Sequence, residues 1–143
     1  AGIESPGHVV SVPVALLDLA PTLTELAGAA LPSEAGGRSL APALRGEPLA
    51  AKATFSEGLM RVPHEAKAIR MEDNKLIYHV DEDRFELYDL TVDPFEMVDI
   101  ATQASELGDA MKRELLAWMD RTGGASQELP RAAPPAEYRG PVW

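Results

Sequence analysis

Residues 86–96 (ELYDLTVDPFE) constrain the fold more than any other stretch of the 143-residue chain. Leu87 and Tyr88 are neighbours in a strand-forming run, so their side chains face opposite sides of a sheet, and the Asp-Pro pair that follows ends the strand in a turn. Upstream, residues 66–71 and 75–80 are two alternating runs separated by acidic and amide turn residues, which is the pattern of a β-hairpin. These three segments predict adjacent strands of an antiparallel sheet.

Two other segments have the three- and four-residue spacing of an amphipathic helix. The first helix is predicted over residues 18–27, with Asp18 as its cap and Gly28 as its stop. The second begins near Ser105 and continues to about Thr122. Its apolar face consists of Leu107, Met111, Leu115 and Trp118. Each helix is therefore expected to bury one face against another part of the protein.

The remaining segments complete an α+β fold. Residues 53–57 are a further candidate strand, and residues 58–65 are predicted to be a loop. We therefore expect a small antiparallel sheet of about four strands, packed against the C-terminal helix, over residues 51–123. Residues 124–143 are rich in proline and poor in apolar side chains, which indicates a surface or disordered tail.

The charge balance argues against two classes of partner. The chain carries 23 acidic and 13 basic residues, a formal net charge of −10, whereas nucleic-acid-binding proteins present a basic surface. An acidic protein is also repelled by anionic membranes, and no apolar run approaches the length of a membrane-spanning helix. The chain has no cysteine, which excludes disulfides, zinc–thiolate sites and a cysteine nucleophile among these residues.

The sequence offers one candidate ligand site and no catalytic or metal-binding residue. Residues 73–74 and 81–83 are polar and mostly acidic, but a hairpin turn and a solvated connection account for them, because they lack the spacing and the glycine of a calcium loop. Arg61 and His64 lie in the predicted loop, where a cation and an imidazole can meet an anionic ligand. A solvated loop is the default interpretation of this stretch; the functional hypothesis is that Arg61 and His64 bind substrate.

Three blocks of sequence occur in a fixed order between about residue 5 and about residue 120. The first contains PTL and AG within residues 17–28, the second is GRSLAPALRG at residues 37–46, and the third ends in ELYDL and DPFE within residues 86–96. Together they resemble the C-terminal part of a type I sulfatase, in the alkaline-phosphatase-like superfamily. The family usually has aspartate where this chain has Gly36, a departure that affects a loop.

The resemblance implies that the chain contributes to two domains and that the catalytic groups lie outside it. Residues 1–50, with the helix of residues 18–27, would complete the catalytic domain, and residues 51–123 would form the C-terminal subdomain. Sulfatases hydrolyse sulfate esters with calcium and a formylglycine made from the first residue of a Cys/Ser-x-Pro-x-Arg motif. The nearest serine candidate, Ser11, has Ala15 in place of the required arginine. We therefore expect no cofactor in this chain, and calcium and formylglycine only in the full-length enzyme.

By this resemblance the chain is expected to be the C-terminal quarter to third of an enzyme for sulfate esters, inactive alone. Its partner would be the missing N-terminal catalytic region, onto which the apolar face of residues 18–27 packs, so the isolated chain is expected to self-associate through that face. Two alternatives stay open: part of a related phosphodiesterase or phosphonate monoester hydrolase, or a free-standing interaction module without activity. The protein is expected to be soluble, cytoplasmic or exported, with any leader in the missing part.

Overall fold

The structure, a computed structural model, describes residue 7 and residues 9–30, 36–61 and 64–123. Its helices and strands follow in the order α1 (Leu19–Leu26), α2 (Ala41–Leu44), β1 (Thr54–Arg61), β2 (His64–Met71), β3 (Asn74–His79), β4 (Arg84–Asp89) and α3 (Ser105–Thr122). The strands form one sheet in the order β1-β2-β3-β4, so each strand lies beside the next one in sequence. The predicted α+β class with a four-stranded antiparallel sheet is confirmed.

Helix α3 packs on the face of the sheet that carries Leu87. A Cβ added at Gly108 of α3 would lie 3.6 Å from the Leu87 side chain. Phe85, two residues earlier and therefore on the same face, has the Lys112 ammonium 4.1 Å from its ring centroid. The fully buried side chains of this core are Ile69, Leu76, Leu87, Met111 and Leu115. Of the apolar stripe predicted for the C-terminal helix, Met111 and Leu115 lie in the core, whereas Leu107 is 37% exposed and Trp118 is half-buried.

The loop predicted over residues 58–65 is wrong. Strand β1 continues to Arg61 and β2 already begins at His64, so only the two residues between them separate the strands. Gly58 lies inside β1, and a glycine within a strand weakens the local pattern that sequence reasoning relies on. By contrast, the predicted hairpin between β2 and β3 is confirmed, with residues 72–73 in its turn.

Both helix caps predicted from sequence need correction. Ser105 is the first residue of α3, and the cap position belongs to Ala104, which has no side-chain hydrogen-bond acceptor. The C-terminal stop is as predicted, because Gly123 adopts the left-handed conformation with φ of 70°. Asp18 does precede α1, but its carboxylate makes no bond to the first turn of that helix. It points instead to two other segments, as described below.

Contacts divide the chain into two compact units. One lies within Ala1–Phe55 and Arg70–Asn74 and contains α1 and α2; the other lies within Ser56–Ile69 and Lys75–Trp143 and contains α3. The domain boundary expected after residue 50 stays a prediction. The Pro-rich tail predicted for residues 124–143 falls outside the described residues.

In the part of the chain that the structure describes, no helix combines the length and the apolar character needed to cross a membrane.

Candidate functional site

The two residues predicted to bind substrate are placed only by their backbone. Arg61 ends β1 and His64 begins β2, so both lie at the same end of the β1–β2 hairpin. Their side chains fall outside the described residues. Substrate binding by Arg61 and His64 therefore stays a prediction.

Asp18 is the centre of a polar junction in the first unit. Its side chain is buried, with 4% of the residue's surface exposed. One carboxylate oxygen accepts a hydrogen bond from the backbone N–H of Ala15 at 2.9 Å, and the other accepts from the backbone N–H of Arg38, also at 2.9 Å. A single carboxylate therefore links the start of the α1 region to a segment 20 residues further along the chain.

Thr22, one turn further into α1, makes the second link between the same two segments. Its hydroxyl donates to the carbonyl oxygen of Asp18 at 2.5 Å and accepts from the backbone N–H of Leu40 at 2.8 Å. Thr22 is also buried, so its hydrogen bond to Asp18 is shielded from water and its bond from Leu40 is partly shielded. The first two sequence blocks of the sulfatase resemblance thus meet at the junction formed by Asp18, Thr22 and residues 37–40.

The close approach of these segments explains the glycine at position 37. Gly37 has φ of 90°, and a Cβ added there would lie 2.2 Å from the carbonyl oxygen of Leu17. No side chain fits at that distance from backbone atoms. Gly36, its neighbour, would bring a Cβ no closer than 4.0 Å to the Leu17 side chain. Of these two neighbouring positions, only residue 37 therefore requires glycine.

Asp18 is held in its charged form. Burial alone would raise the pKa of this carboxyl, but the hydrogen bonds from the N–H groups of Ala15 and Arg38, with the positive charges of Arg38 and Lys52, lower it below 3.8 overall. The Arg38 guanidinium also donates to the carbonyl oxygens of Pro13, at 3.3 Å, and Ala50. Arg38 therefore binds three separate segments of the first unit.

A second polar cluster lies on the face of the sheet opposite α3. His79 Nε2 is 2.9 Å from a carboxylate oxygen of Glu86, and the Arg84 guanidinium bonds the other oxygen of that carboxylate. Burial raises the pKa of Glu86, whereas the hydrogen bonds from His79, Arg84 and Tyr88 lower it to about 2. Burial and the hydrogen bond to Glu86 raise the pKa of Tyr88 to about 12.

These pKa values make Glu86 and Tyr88 poor acid–base groups. A general base works best with a pKa near the working pH, and Glu86 stays ionised and a weak base throughout the neutral range. Tyr88 stays protonated over the same range and serves as a hydrogen-bond donor. The arrangement is suited to tying β3 to β4, because the bonded groups stand on both strands. Neither Glu86 nor Tyr88 is therefore suited to activate a nucleophile at neutral pH.

The described residues do not fit a calcium site. Among them, no group of three or more His, Asp or Glu side chains converges in the way that a metal ion requires. The carboxylates of the two clusters are engaged instead by N–H donors and by basic side chains. We therefore assign no chemistry among the described residues to a bound metal.

One face of the α1 region is apolar and open to solvent. Leu16 and Leu17, in the 3-10 turn Leu16–Asp18, and Leu19 and Leu23, in α1, are 51 to 86% exposed. We call these four residues the α1 apolar surface. Sequence periodicity predicted this face for Leu16, Leu19 and Leu23, and Leu17 extends it. The structure leaves the face without a covering element among the described residues of its unit.

Sequence reasoning missed both polar clusters for different reasons. Asp18 has the position of a helix cap, and nothing in the local spacing reveals a partner 20 residues away. The second cluster had a usable signal, because His79 alternates with Tyr78 and Glu86 alternates with Leu87. That alternation places His79 and Glu86 on the same face of neighbouring strands.

The sequence of this chain matches one protein family over most of its length. Residues 3–121 match the C-terminal family of N-sulphoglucosamine sulphohydrolase. A steryl-sulfatase from Mus musculus is 51% identical over 45 residues, which cover 30% of this chain and 7% of that protein. The chain thus spans a small part of this relative.

Solved structures agree with that family. A protein from Bacteroides thetaiotaomicron, solved as a candidate sulfatase, aligns with a TM-score of 0.67 and 31% identity, over 74% of this chain and 24% of its own. A phosphonate monoester hydrolase from Silicibacter pomeroyi aligns with a TM-score of 0.64 over 82% of this chain and 27% of its own; at 23% identity it shows the shared fold alone. This chain therefore corresponds to about a quarter of each of these structures.

Proposed function

Because this chain belongs to the C-terminal family of N-sulphoglucosamine sulphohydrolase, we propose that it is the C-terminal part of a sulfatase, a sulfuric ester hydrolase. We call that larger protein the full-length enzyme. Its C-terminal part supports the substrate cleft and carries none of the reacting groups. The observation that carries the proposal is the family match over residues 3–121, which includes both segments of the Asp18 junction.

The α1 apolar surface supports a structural role for this part. Soluble proteins normally expose large apolar side chains singly, whereas here four leucines on one short helical segment are exposed together. The Asp18–Thr22 junction fixes that segment in place, so the surface is presented in one conformation. We assign the α1 apolar surface to contact with the N-terminal catalytic region of the full-length enzyme.

The reacting groups are assigned to that same catalytic region. Calcium and formylglycine would be held there, since this chain has no cysteine and Ala15 stands where the nucleophile motif needs arginine. Glu86 and Tyr88, whose pKa values are shifted away from neutral pH, are suited to hydrogen bonding rather than to proton transfer at neutral pH.

The isolated chain is expected to have no sulfatase activity. With an aryl sulfate as substrate and calcium in the buffer, the purified chain should release no product above the uncatalysed rate, because it lacks the nucleophile motif. The full-length enzyme under the same conditions is the positive control. Calcium-dependent turnover by the isolated chain would overturn the proposal.

Arg61 and His64 are proposed to line the rim of the substrate cleft. Both lie at one end of the β1–β2 hairpin, and a guanidinium with an imidazole suits an anionic ester. In the full-length enzyme, replacing both with alanine should raise KM by about 10-fold, the effect of losing roughly one charged hydrogen bond. Arg70→Ala, on the same strand as His64, is the matched control. Unchanged KM in the double variant would remove these residues from the site.

A further inference from the structure

The connection between β4 and α3 presents a second group of apolar side chains to solvent. Val92, Phe95, Met97 and Val98 are 58 to 83% exposed, within seven consecutive residues. We call these four residues the apolar loop surface. Single exposed apolar residues are normal on soluble proteins, whereas a contiguous group of large ones indicates a contact surface.

The loop that carries this surface is held in one conformation. A single carboxylate oxygen of Asp93 accepts hydrogen bonds from the backbone N–H groups of Met97 and Val98, both at 2.8 Å. Lys75, on β3, contacts both carboxylate oxygens of Glu96 at 2.7 Å. These bonds fix the middle of the loop to itself and to the sheet.

The end of the loop is fixed to β4. Asp99 accepts hydrogen bonds from the N–H groups of Leu87, at 3.0 Å, and Ala101, at 2.9 Å. The N–H of Ile100 donates to the carbonyl oxygen of Leu87 at 2.8 Å. Since Leu87 is itself buried, the loop is anchored to the core of its unit. A surface ordered before binding loses less conformational entropy when it binds.

The charge around the loop determines what kind of surface it fits. Residues 81–109 contain ten acidic side chains and one basic side chain, Arg84, and Lys75 of β3 pairs with one of the acids, Glu96, so the segment keeps an excess of negative charge. A partner that buries the apolar loop surface must therefore bring basic side chains to the rim of the contact. A second copy of the chain meeting loop to loop would place two acidic segments against each other, which disfavours association.

We propose that the apolar loop surface docks into an apolar pocket, bordered by lysine or arginine side chains, on the catalytic region of the full-length enzyme. This inference rests on the proposed function above and adds a second contact to the one made by the α1 apolar surface. Phe95 and Met97 are the anchors, because large, flexible or aromatic apolar side chains contribute most at the centre of such contacts.

The absence of cysteine from this chain allows a direct test by thiol labelling. Met97→Cys is prepared in the isolated chain and in the full-length enzyme, and the labelling rate of the introduced thiol is followed by peptide mass mapping. Met97 is 79% exposed in the chain alone, so labelling there should be fast. In the full-length enzyme it should slow by about 10-fold or more, because labelling then requires a transient opening of the contact.

Arg113→Cys, at an exposed position in α3 and outside the loop, is the matched control and should label at the same rate in both proteins. Equal rates for Met97→Cys in both proteins would overturn the inference. Slow labelling of the isolated chain that becomes faster on dilution would assign the surface to a second copy, which also overturns it. Sulfatase activity of the wild-type full-length enzyme, measured separately, tests the proposed function independently of this docking.

The lysine or arginine side chains proposed at the rim of the pocket can be tested separately by chemical cross-linking. A zero-length carbodiimide joins carboxylates only to amines that touch them, so cross-links from residues 93–106 should reach lysines of the catalytic region. If residue 97 is protected but cross-links to such lysines are absent in repeated mapping, the charge part of the inference is wrong.

Discussion

Replacing Gly37 with alanine lowers the free energy of unfolding by about 3 kcal/mol or more, the largest single effect expected in this chain. Two causes add. At φ of 90° a side chain is conformationally disfavoured, and a Cβ would lie 2.2 Å from the Leu17 carbonyl oxygen and 2.6 Å from its carbon. Both clashing atoms belong to the backbone, so the clash is relieved only by separating residues 36–40 from the start of α1.

Gly36 provides the control for this experiment. Gly36→Ala and Gly36→Asp should each change the free energy of unfolding by no more than about 0.5 kcal/mol, because an added Cβ meets nothing closer than 4.0 Å. The measurement is urea denaturation of the purified variants. If Gly37→Ala unfolds at the same urea concentration as Gly36→Ala, the close approach at the junction is wrong.

Replacing Asp18 with alanine lowers the free energy of unfolding by about 2–4 kcal/mol, because two partly buried backbone N–H groups lose a charged acceptor. Asp18→Asn should lie between this variant and the wild type, since an amide keeps one acceptor oxygen but turns an NH₂ group toward the second donor. Asp109→Asn, an exposed position in α3, is the matched control and should be neutral.

The Asp18 contribution has a defined pH dependence. The pKa of this carboxyl is lower in the folded chain than its ordinary value of 3.8, so the folded state favours the ionised form. The contribution is therefore complete above about pH 5, where the unfolded chain is also ionised, and is lost as pH falls through the folded-state pKa. In Asp18→Asn this part of the acid destabilisation should disappear. An identical acid dependence in variant and wild type would show that Asp18 is not the linked group.

Elements with a strong local pattern could be predicted from the sequence. The bounds of α3 and the β2–β3 hairpin follow from an apolar stripe at helical spacing and from two alternating runs around a short turn. Leu87 and Tyr88 do face opposite sides of the sheet, since Leu87 meets α3 while Tyr88 bonds Glu86 on the other face. In each case residues close together in the sequence determine the structure, so a short stretch of sequence is enough to predict it.

Features that depend on distant residues could not be predicted in this way. Asp18 has the position of a helix cap, yet its carboxylate accepts hydrogen bonds from the N–H groups of residues 15 and 38, and residue 38 is 20 positions away in sequence. Strand β1 extends through Gly58 because pairing with β2 stabilises it, which local propensity does not include. Exposure of the apolar loop surface likewise depends on what the folded unit leaves uncovered.

The sequence of the reading frame immediately upstream of residue 1 tests the central proposal most directly. We predict that it encodes a catalytic region with a Cys/Ser-x-Pro-x-Arg nucleophile motif and the acidic residues of a calcium site, so that this chain completes a sulfatase. An upstream region with a different nucleophile motif would assign the chain to a related phosphonate or phosphodiester hydrolase. A reading frame with no catalytic region at all would contradict the proposal and make the chain an independent module.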